Sequence, residues 1–190
     1  MKEIRVVGMD PSLRNWGVAT GTLNLQSLDL TIEHLEVIQP IKLEGKQTRK
    51  NSVDVDVARQ HYERCMALAE SAQAAFVEVP VGSKSARAMA SYGICVGVLG
   101  GLRGAGVPFF EVTPTEVKTV AVGKKTATKD QMIQWAMQQH PEAPWPMQTK
   151  KGVTSVVAGT AEHMSDAVAA IYAGISTADF QRTISFLKVA

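Results

Sequence analysis

IRVVGMDPS, residues 4–12, is the stretch that decides the fold. It is an apolar run that ends in an acid, Asp10, and a proline turn follows at once. The pattern predicts a buried strand whose last side chain is a carboxylate. A carboxylate beside a core is costly unless it is paired or binds a metal. Asp10 is therefore the first candidate for a functional residue.

Two later segments supply matching side chains. Residues 76–79, FVEV, predict a second apolar strand that contains Glu78. Residues 163–166, HMSD, open a helix of small residues, and His163 and Asp166 share one face of it because they are three positions apart. Three acids and one histidine, each in apolar surroundings, suggest one assembled metal site.

Each of these residues also has a simpler structural explanation. Asp10 before a proline is a common turn residue. Asp166 suits the first turn of a helix, where the dipole favours an acid. His163 near a helix start is more often a polar surface or cap residue, and Glu162 beside it is an alternative ligand. Glu78 is the hardest to explain as structural, since so apolar a strand rarely contains an unpaired acid.

Length and composition predict one cytoplasmic domain. The chain has 190 residues, with 45% hydrophobic and 20% charged side chains, as in ordinary globular proteins. No apolar run approaches the roughly 20 residues of a membrane span, and the first residues lack the pattern of a signal peptide. Cys65 and Cys95 have no metal-ligand spacing, so we expect reduced core thiols.

The net charge of +2 identifies no partner by itself, but the lysines are clustered. One acid-free stretch contains four of them, a second basic cluster is offset by Glu44 alone, and a pair follows later. Solvated loops explain any one cluster, whereas several clusters beside an acidic site favour binding of a phosphate backbone. The clusters are Lys118, Lys124, Lys125 and Lys129; Lys42, Lys46, Arg49 and Lys50; and Lys150 with Lys151.

The pattern along the chain predicts three strands and then alternating helices and strands. We expect an α/β fold in which an antiparallel meander and βαβ units form one mixed sheet flanked by helices. The predicted strands are 4–10, 16–23, 30–37, 76–79 and 107–112. The predicted helices are 54–75, 84–103, 114–122, 127–139 and 160–173, with loops at 40–53 and 141–159. Thr128 is the predicted cap of helix 127–139.

Four motifs in this order resemble those of RuvC-type Holliday junction resolvases of the RNase H-like superfamily. The first is Asp-Pro-Ser-x-x-x-x-Gly at residues 10–17, where the family usually has Gly in place of Ser12. The others are the strand acid at 76–78, Thr-Pro-x-x-Val-Lys at 113–118, and His-x-x-Asp-Ala at 163–167. The resemblance covers about residues 4–175 and implies an RNase H-like domain over 1–175 with a C-terminal extension at 176–190.

The resemblance also implies a function. Asp10, Glu78, His163 and Asp166 would ligate two Mg²⁺ ions, with Mn²⁺ as a substitute, for hydrolysis of a DNA phosphodiester. Lys118 and Lys129 would lie near the scissile phosphate as further catalytic residues. The expected partners are branched DNA, as a four-way junction or fork, and a second copy of the chain in a homodimer, with helix 84–103 as the candidate interface.

The sequence departs from the family at positions that affect substrate choice. Family members often carry an aromatic residue shortly after the strand acid, where this chain has Pro80 and Val81. The loop at 141–159 is longer and richer in proline than we expect of the family. We expect Trp16, Trp135 and Trp145 to be packing residues, and of the three, Trp145 in this loop is the best candidate for a DNA contact. Such divergence would suit a bacteriophage member. The alternatives are a non-catalytic branched-DNA binder, a nuclease for RNA–DNA hybrids and a small ATP-dependent phosphotransferase.

Overall fold

The computed structural model of the protein describes residues 3–41 and 49–189, with side chains described as far as residue 186. Part of the predicted loop at 40–53, including Lys42 and Lys46, lies outside these residues. The strands are β1 (Glu3–Asp10), β2 (Trp16–Asn24), β3 (Leu30–Ile38), β4 (Ala74–Glu78), β5 (Phe109–Val112), β6 (Met147–Lys150) and β7 (Val153–Val156). The helices are α1 (Lys50–Ala69), α2 (Ala86–Gly104), α3 (Pro114–Val122), α4 (Lys129–Gln139), α5 (Ala158–Ile175) and α6 (Ala178–Val189).

The main sheet has five strands in the order β3-β2-β1-β4-β5. The first three strands form the predicted antiparallel meander. β4 then pairs parallel with β1, and β5 pairs parallel with β4, because the helical crossovers α1 and α2 return the chain to the same end of the sheet. The α/β fold with one mixed sheet is thus as predicted, and it brings the carboxyl ends of β1 and β4 together.

The core lies on both faces of this sheet. On one face, α5 packs across β1, β2 and β4, and its inward side is almost entirely small or aliphatic. On the other face, α1 and α2 cover residues such as Met9, Trp16 and Val77. Cys65 and Cys95 are buried on this second face and form no disulfide, in agreement with the prediction of core thiols.

The amino ends of α3 and α4 are fixed by local sequence. Thr113 and Thr128 each form a capping box, in which the threonine hydroxyl accepts from the backbone N–H three residues on. Glu116 and Gln131 accept the reciprocal hydrogen bonds from the backbone of the threonines. Thr128 therefore caps its helix as predicted, and the loop between α3 and α4 carries Lys124 and Lys125.

The structure corrects the sequence prediction in three places. α1 begins at Lys50, within the predicted loop, and ends at Ala69 instead of residue 75. The predicted loop at 141–159 contains a β-hairpin, because the residues of β6 pair with those of β7, apart from the main sheet. The last residues form α6, which no pattern had predicted, and its Phe180 and Ile184 are buried against the core.

Among the described helices, none combines the length and the apolar character that a bilayer-spanning segment requires.

Candidate active site at the carboxyl ends of β1 and β4

Two of the predicted acids lie side by side at one edge of the sheet. Asp10 is the last residue of β1 and Glu78 is the last residue of β4. The two strands are parallel neighbours, with Met9 opposite Val77, so the next residue of each strand projects to the same region. The strand pairing therefore explains why acids 68 positions apart in the sequence become neighbours.

The other two predicted residues reach this edge because α5 approaches the sheet very closely. A Cβ atom at Gly8 would lie 2.1 Å from the carbonyl oxygen of Ala167, and a Cβ atom at Gly17 would lie 2.0 Å from that of His163. Only glycine fits at both positions, since real Cβ contacts are never so short. Gly17 is paired with Asp10 in the sheet, so this contact sets His163 beside Asp10.

All four residues line one cavity of about 350 Å³. Lys129 and Glu162 also line it, as do Tyr92 from α2 and residues 80–83 after β4. The cavity is half open to solvent, and its wall combines carboxylates, one imidazole and one ammonium group. The structure therefore brings Asp10, Glu78, His163, Asp166 and Lys129 together, as the sequence predicted.

A hydrogen bond joins His163 to Asp10. Nδ1 of His163 lies 2.9 Å from Oδ2 of Asp10, and both side chains are more than four-fifths buried. Because the carboxylate accepts, Nδ1–H donates, and this bond raises the pKa of the imidazole. When His163 is neutral, Nε2 then carries the free lone pair, which is the arrangement of a histidine that ligates a metal.

The charges of Glu78 and Asp166 are poorly compensated. Burial first, and then the negative charges of Asp10 and Asp166, raise the pKa of Glu78 to about 8. Burial and the charge of Asp10 likewise raise the pKa of Asp166. Oδ1 of Asp166 is buried and has no hydrogen-bond partner. The cavity thus holds more carboxylate than its protein neighbours can neutralise.

Lys118 and Lys129 act on this cluster differently. The positive charge of Lys118, on α3, lowers the pKa values of both Glu78 and Asp166 and so partly offsets the burial of these acids. Lys129 instead pairs with Glu162, with 2.7 Å between Nζ and Oε2, and its side chain is 76% exposed. Lys129 thus lines the cavity while most of its side chain lies in solvent.

The residues present fit a hard divalent cation in chemistry, although they are not gathered around one point. Over residues 3–41 and 49–189, no group of three His, Cys, Asp or Glu side chains is close enough together to enclose a metal ion. The uncompensated carboxylates and the orphaned Oδ1 of Asp166 are nevertheless what a site for Mg²⁺ or Mn²⁺ requires, since these ions prefer oxygen ligands and supply positive charge.

The structure places one aromatic residue in the site and two in the core. Tyr92 lines the cavity, but its position in a helix of small residues gave no indication of this. Trp145 is 7% exposed, and its indole N–H donates to the carbonyl of His140 at 2.8 Å. Trp145 therefore anchors the chain before β6 as a packing residue, as expected, and so buried a side chain does not serve as the candidate DNA contact. Trp16 is fully buried, as expected of a packing residue.

The sheet order, the helix across it and the carboxylate-lined cavity define the class of the protein as an α/β fold of the RNase H-like type. No protein-family model matches the sequence, and neither does any curated protein. Solved structures do match, and two of them are RuvC from Thermus thermophilus.

RuvC of T. thermophilus in complex with a Holliday junction substrate is 20% identical to this chain and has a TM-score of 0.61. The match covers 92% of this chain and 97% of that one. A second structure of T. thermophilus RuvC is 21% identical, with a TM-score of 0.61, and the match covers 92% and 98% of the two chains. This chain therefore has the RuvC fold over nearly its whole length, as the four motifs predicted.

Proposed function

We propose that this protein is a structure-selective endodeoxyribonuclease of the RuvC type, which resolves Holliday junctions or other branched DNA. One observation carries the proposal. Four side chains predicted from widely separated motifs line a single cavity in which buried acids lack compensating charge. The cavity lies at the carboxyl ends of β1 and β4, in a fold shared with a protein that was solved on a Holliday junction.

The proposal includes a divalent metal cofactor. Asp10, Glu78, His163 and Asp166 would hold two Mg²⁺ ions, for which Mn²⁺ would substitute. The chemistry supplied by such a pair is activation of a water and stabilisation of the departing 3′-oxygen in an in-line displacement. Ionised Glu78 and Asp166 would be favoured once positive charge enters the cavity, because the pKa values of both are raised without it.

The chain's own residues position these groups. Asp10 orients the imidazole of His163 through the bond to Nδ1, so that Nε2 is the nitrogen available as a ligand. Lys118 keeps the two buried acids closer to their ionised forms. Lys129 would leave Glu162 and contact a phosphate of the bound strand, which adds positive charge where negative charge develops.

Glu162 is the alternative to His163 as the fourth ligand. Its Oε1 lies 3.4 Å from Nε2 of His163, and both side chains line the cavity. His163 is the better candidate because its partner Asp10 already orients it. A Glu162→Gln variant that keeps Mg²⁺-dependent nicking, beside a His163→Ala variant that loses it, would support this choice.

A homodimer in the cytoplasm completes the proposal, because symmetric resolution of a junction requires two sites that make paired nicks. The outer face of α2 is our candidate for the dimer interface. A Cβ atom added at Gly93, Gly97 or Gly100 would meet no atom within 4 Å, and Val96 on the same helix is 45% exposed. A shallow apolar groove between α1 and α2, lined by Val55 and other residues, continues this face.

Substrate selectivity should be broader than that of a resolvase with a stacking aromatic after its strand acid. Val81 occupies that region here, is 57% exposed and lines the cavity. An aliphatic side chain cannot stack on a base as an aromatic ring does. We therefore expect forks and flaps to be cut as well as four-way junctions.

The test is nicking of a labelled synthetic four-way junction in Mg²⁺, with a fork, a linear duplex and an RNA–DNA hybrid as further substrates. The Asp10→Asn protein serves as the matched variant. We expect paired nicks across the junction that disappear in the variant and in EDTA, with little cutting of linear duplex.

Other outcomes would identify a different activity. Junction binding without cutting in Mg²⁺ or Mn²⁺ would overturn the nuclease proposal in favour of a branched-DNA binder. Preferred cutting of the hybrid would indicate a ribonuclease of the same fold. Cutting by Asp10→Asn at the wild-type rate would exclude the proposed metal site.

A further inference from the structure

The hairpin formed by β6 and β7, residues 147–156, stands apart from the rest of the fold. Within the ranges that the structure describes, it pairs with no strand of the main sheet. Nearly all of its residues are exposed, including Met147 at 51% and Val153 at 66%. A two-stranded hairpin alone is marginally stable in water, so an extended one that covers no core calls for another role. We call it the basic ribbon.

The tip of the basic ribbon carries two adjacent lysines. Lys150 ends β6, and Lys151 and Gly152 form the two-residue turn, with φ angles of 51° and 78°. Both angles are left-handed, as a type I′ turn requires, and asparagine is the usual residue at the first position. A lysine there costs about 1 kcal/mol in backbone strain. Its charge is thus held at the outermost point of the turn despite an unfavourable backbone conformation.

The charge of the ribbon is of one sign. No Asp or Glu occurs from residue 143 to residue 161, so no acid within this stretch offsets the two lysines. The strand register sets Gln148 opposite Ser155 and Lys150 opposite Val153, which puts these four side chains on one face. Amide, hydroxyl and ammonium groups on one face are the donors that contact phosphate and sugar oxygens in protein–DNA complexes.

The base of the ribbon is held firmly to the core. Trp145 is buried just before β6, and the backbone N–H of Val157 donates to the carbonyl of Pro146 at 2.7 Å, which closes the base. Val156 packs against the core. α5 then begins at Ala158 without a flexible linker, so the ribbon and the helix that carries His163 move as one piece.

The base of the ribbon lies at the same end of the sheet as the cavity. α5 crosses Gly8 with Ala167 and Gly17 with His163, so its earlier residues extend beyond the end of β1. Ala158 lies about 8 Å before His163 along the helix, at 1.5 Å per residue. Four-residue strands add about 13 Å. The tip therefore lies within about one duplex diameter of the cavity.

We propose that the basic ribbon binds the sugar–phosphate backbone of a DNA arm beside the cleavage site. The proposal rests on the proposed function, to which it adds a second, non-catalytic contact with the substrate. The ribbon contributes positive charge and backbone donors, and it does not select a base sequence. A rigid contact about one duplex diameter away fixes the direction in which an arm leaves the cavity, which a single phosphate contact cannot do.

The test is the salt dependence of junction binding, measured in Ca²⁺ or EDTA so that no strand is cut. The variant Lys150→Gln/Lys151→Asn removes both charges and installs the asparagine that the turn prefers, so the hairpin should fold at least as well. Loss of two phosphate contacts should reduce the slope of log K against log salt by about 1.8 and weaken binding about tenfold near 0.1 M salt.

The control removes the same charge elsewhere. Arg103 and Arg182 lie by the amino end of β5, away from the cavity, and pair with the exposed acids Glu111 and Asp179. Arg103→Gln/Arg182→Gln should keep the wild-type slope to within about half a unit. An equal fall in both double variants would mean a general charge effect and would overturn the proposal.

A second readout detects contact directly. Ser155→Cys introduces an exposed thiol for a fluorescent label, and the native Cys65 and Cys95 are buried, so labelling should be selective. We expect the fluorescence to change when the junction binds. Unchanged fluorescence together with a wild-type slope in the lysine variant would refute the ribbon contact alone. If the wild type binds no branched DNA, the proposed function fails as well.

Discussion

Acids at two places in this molecule have pKa values that are shifted in opposite directions. Glu36 on β3 accepts two hydrogen bonds from the guanidinium of Arg64, at 3.0 and 2.6 Å, and lies 3.0 Å from Nε2 of His34. Arg64, and then His34, lower the pKa of Glu36. At the carboxyl ends of β1 and β4, the pKa values of Glu78 and Asp166 are raised instead.

The difference separates an acid whose charge is compensated within the fold from acids whose charge is not. Both groups are partly withdrawn from water, but only Glu36 has an arginine that neutralises it. Oδ1 of Asp166 has no partner at all. The fold compensates the charge of Glu36 but leaves the acids at the cavity without a full counter-charge. Binding of a cation in the cavity would therefore be electrostatically favourable.

The largest expected effect tests whether the unpaired acids are catalytic. Glu78→Gln should lower the single-turnover rate of junction nicking by about 1000-fold or more, or about 4 kcal/mol of barrier, because a ligand of the metal pair is lost. Glu36→Gln makes the same change at the compensated acid and should stay within about twofold. A Glu78→Gln protein that nicks at a tenth of the wild-type rate would contradict the assignment.

The second effect is on stability in the absence of metal. The folded pKa of Glu78 is raised from 4.5 to about 8, so the folded state holds a proton that the unfolded state has released. Its stabilising effect is full below pH 4.5 and is lost as the pH rises towards 8. The raised pKa of His163 acts in the same direction. Urea unfolding in EDTA should show a fall on the order of 2 kcal/mol between pH 5.5 and 8.5.

The compensated group gives the contrast for this measurement. The pKa of Glu36 is lowered, so its contribution is constant over the same range and is lost only in acid. The Glu78→Gln variant should lose most of the dependence of the free energy of unfolding on pH. In the wild type, added Mg²⁺ should restore stability at pH 8.5. A slope that is unchanged in Glu78→Gln would show that other groups cause it.

A third, smaller effect concerns the partial compensation by Lys118. Lys118→Gln should reduce nicking about tenfold and raise the Mg²⁺ concentration needed for half-maximal rate, because Glu78 and Asp166 then ionise less readily. Lys124→Gln, an exposed position in the loop after α3, should change either value less than twofold. Equal effects of the two variants would indicate a general role of charge in DNA binding.

The smallest effect is expected for the ion pair between Arg64 and Glu36. Arg64→Gln should reduce the free energy of unfolding by about 1 kcal/mol or less, since Arg64 is half exposed and solvent screens the pair. Nicking should be unchanged. Thermal unfolding and the nicking assay measure the two consequences, and a loss of activity would mean that α1 affects the cavity.

The parts of the fold that the sequence predicted share one property: their signal is local. Strand-terminal acids such as Asp10 and Glu78 are conspicuous against apolar runs, and the cap at Thr128 lies within three residues of its partner. These local signals also predicted the order of the strands and helices, and that order indicated the RuvC-like fold. The metal ligands, the Mg²⁺ ions themselves and the dimer remain predictions.

The features that sequence reasoning missed depend on contacts between distant parts of the chain. The basic ribbon was predicted as part of a loop because the three prolines before it and its own lysines and glycine outweighed a weak strand pattern, and a lysine took the place of asparagine in the turn. α6 is fixed by Phe180, which packs on Phe76 and Phe110 from two strands. Tyr92 lines the cavity from α2, which no local pattern indicates.

The contact of α5 with the sheet at Gly8 and Gly17 has a consequence for how such a sequence can diverge. The spacing between helix and strands is set by main-chain atoms, so exchanging side chains elsewhere in the interior changes what fills the space and leaves the spacing as it is. Two proteins can then differ at four positions in five, as this chain and T. thermophilus RuvC do, and still share one framework. At Gly8 and Gly17, where the main chains meet, not even a methyl group fits.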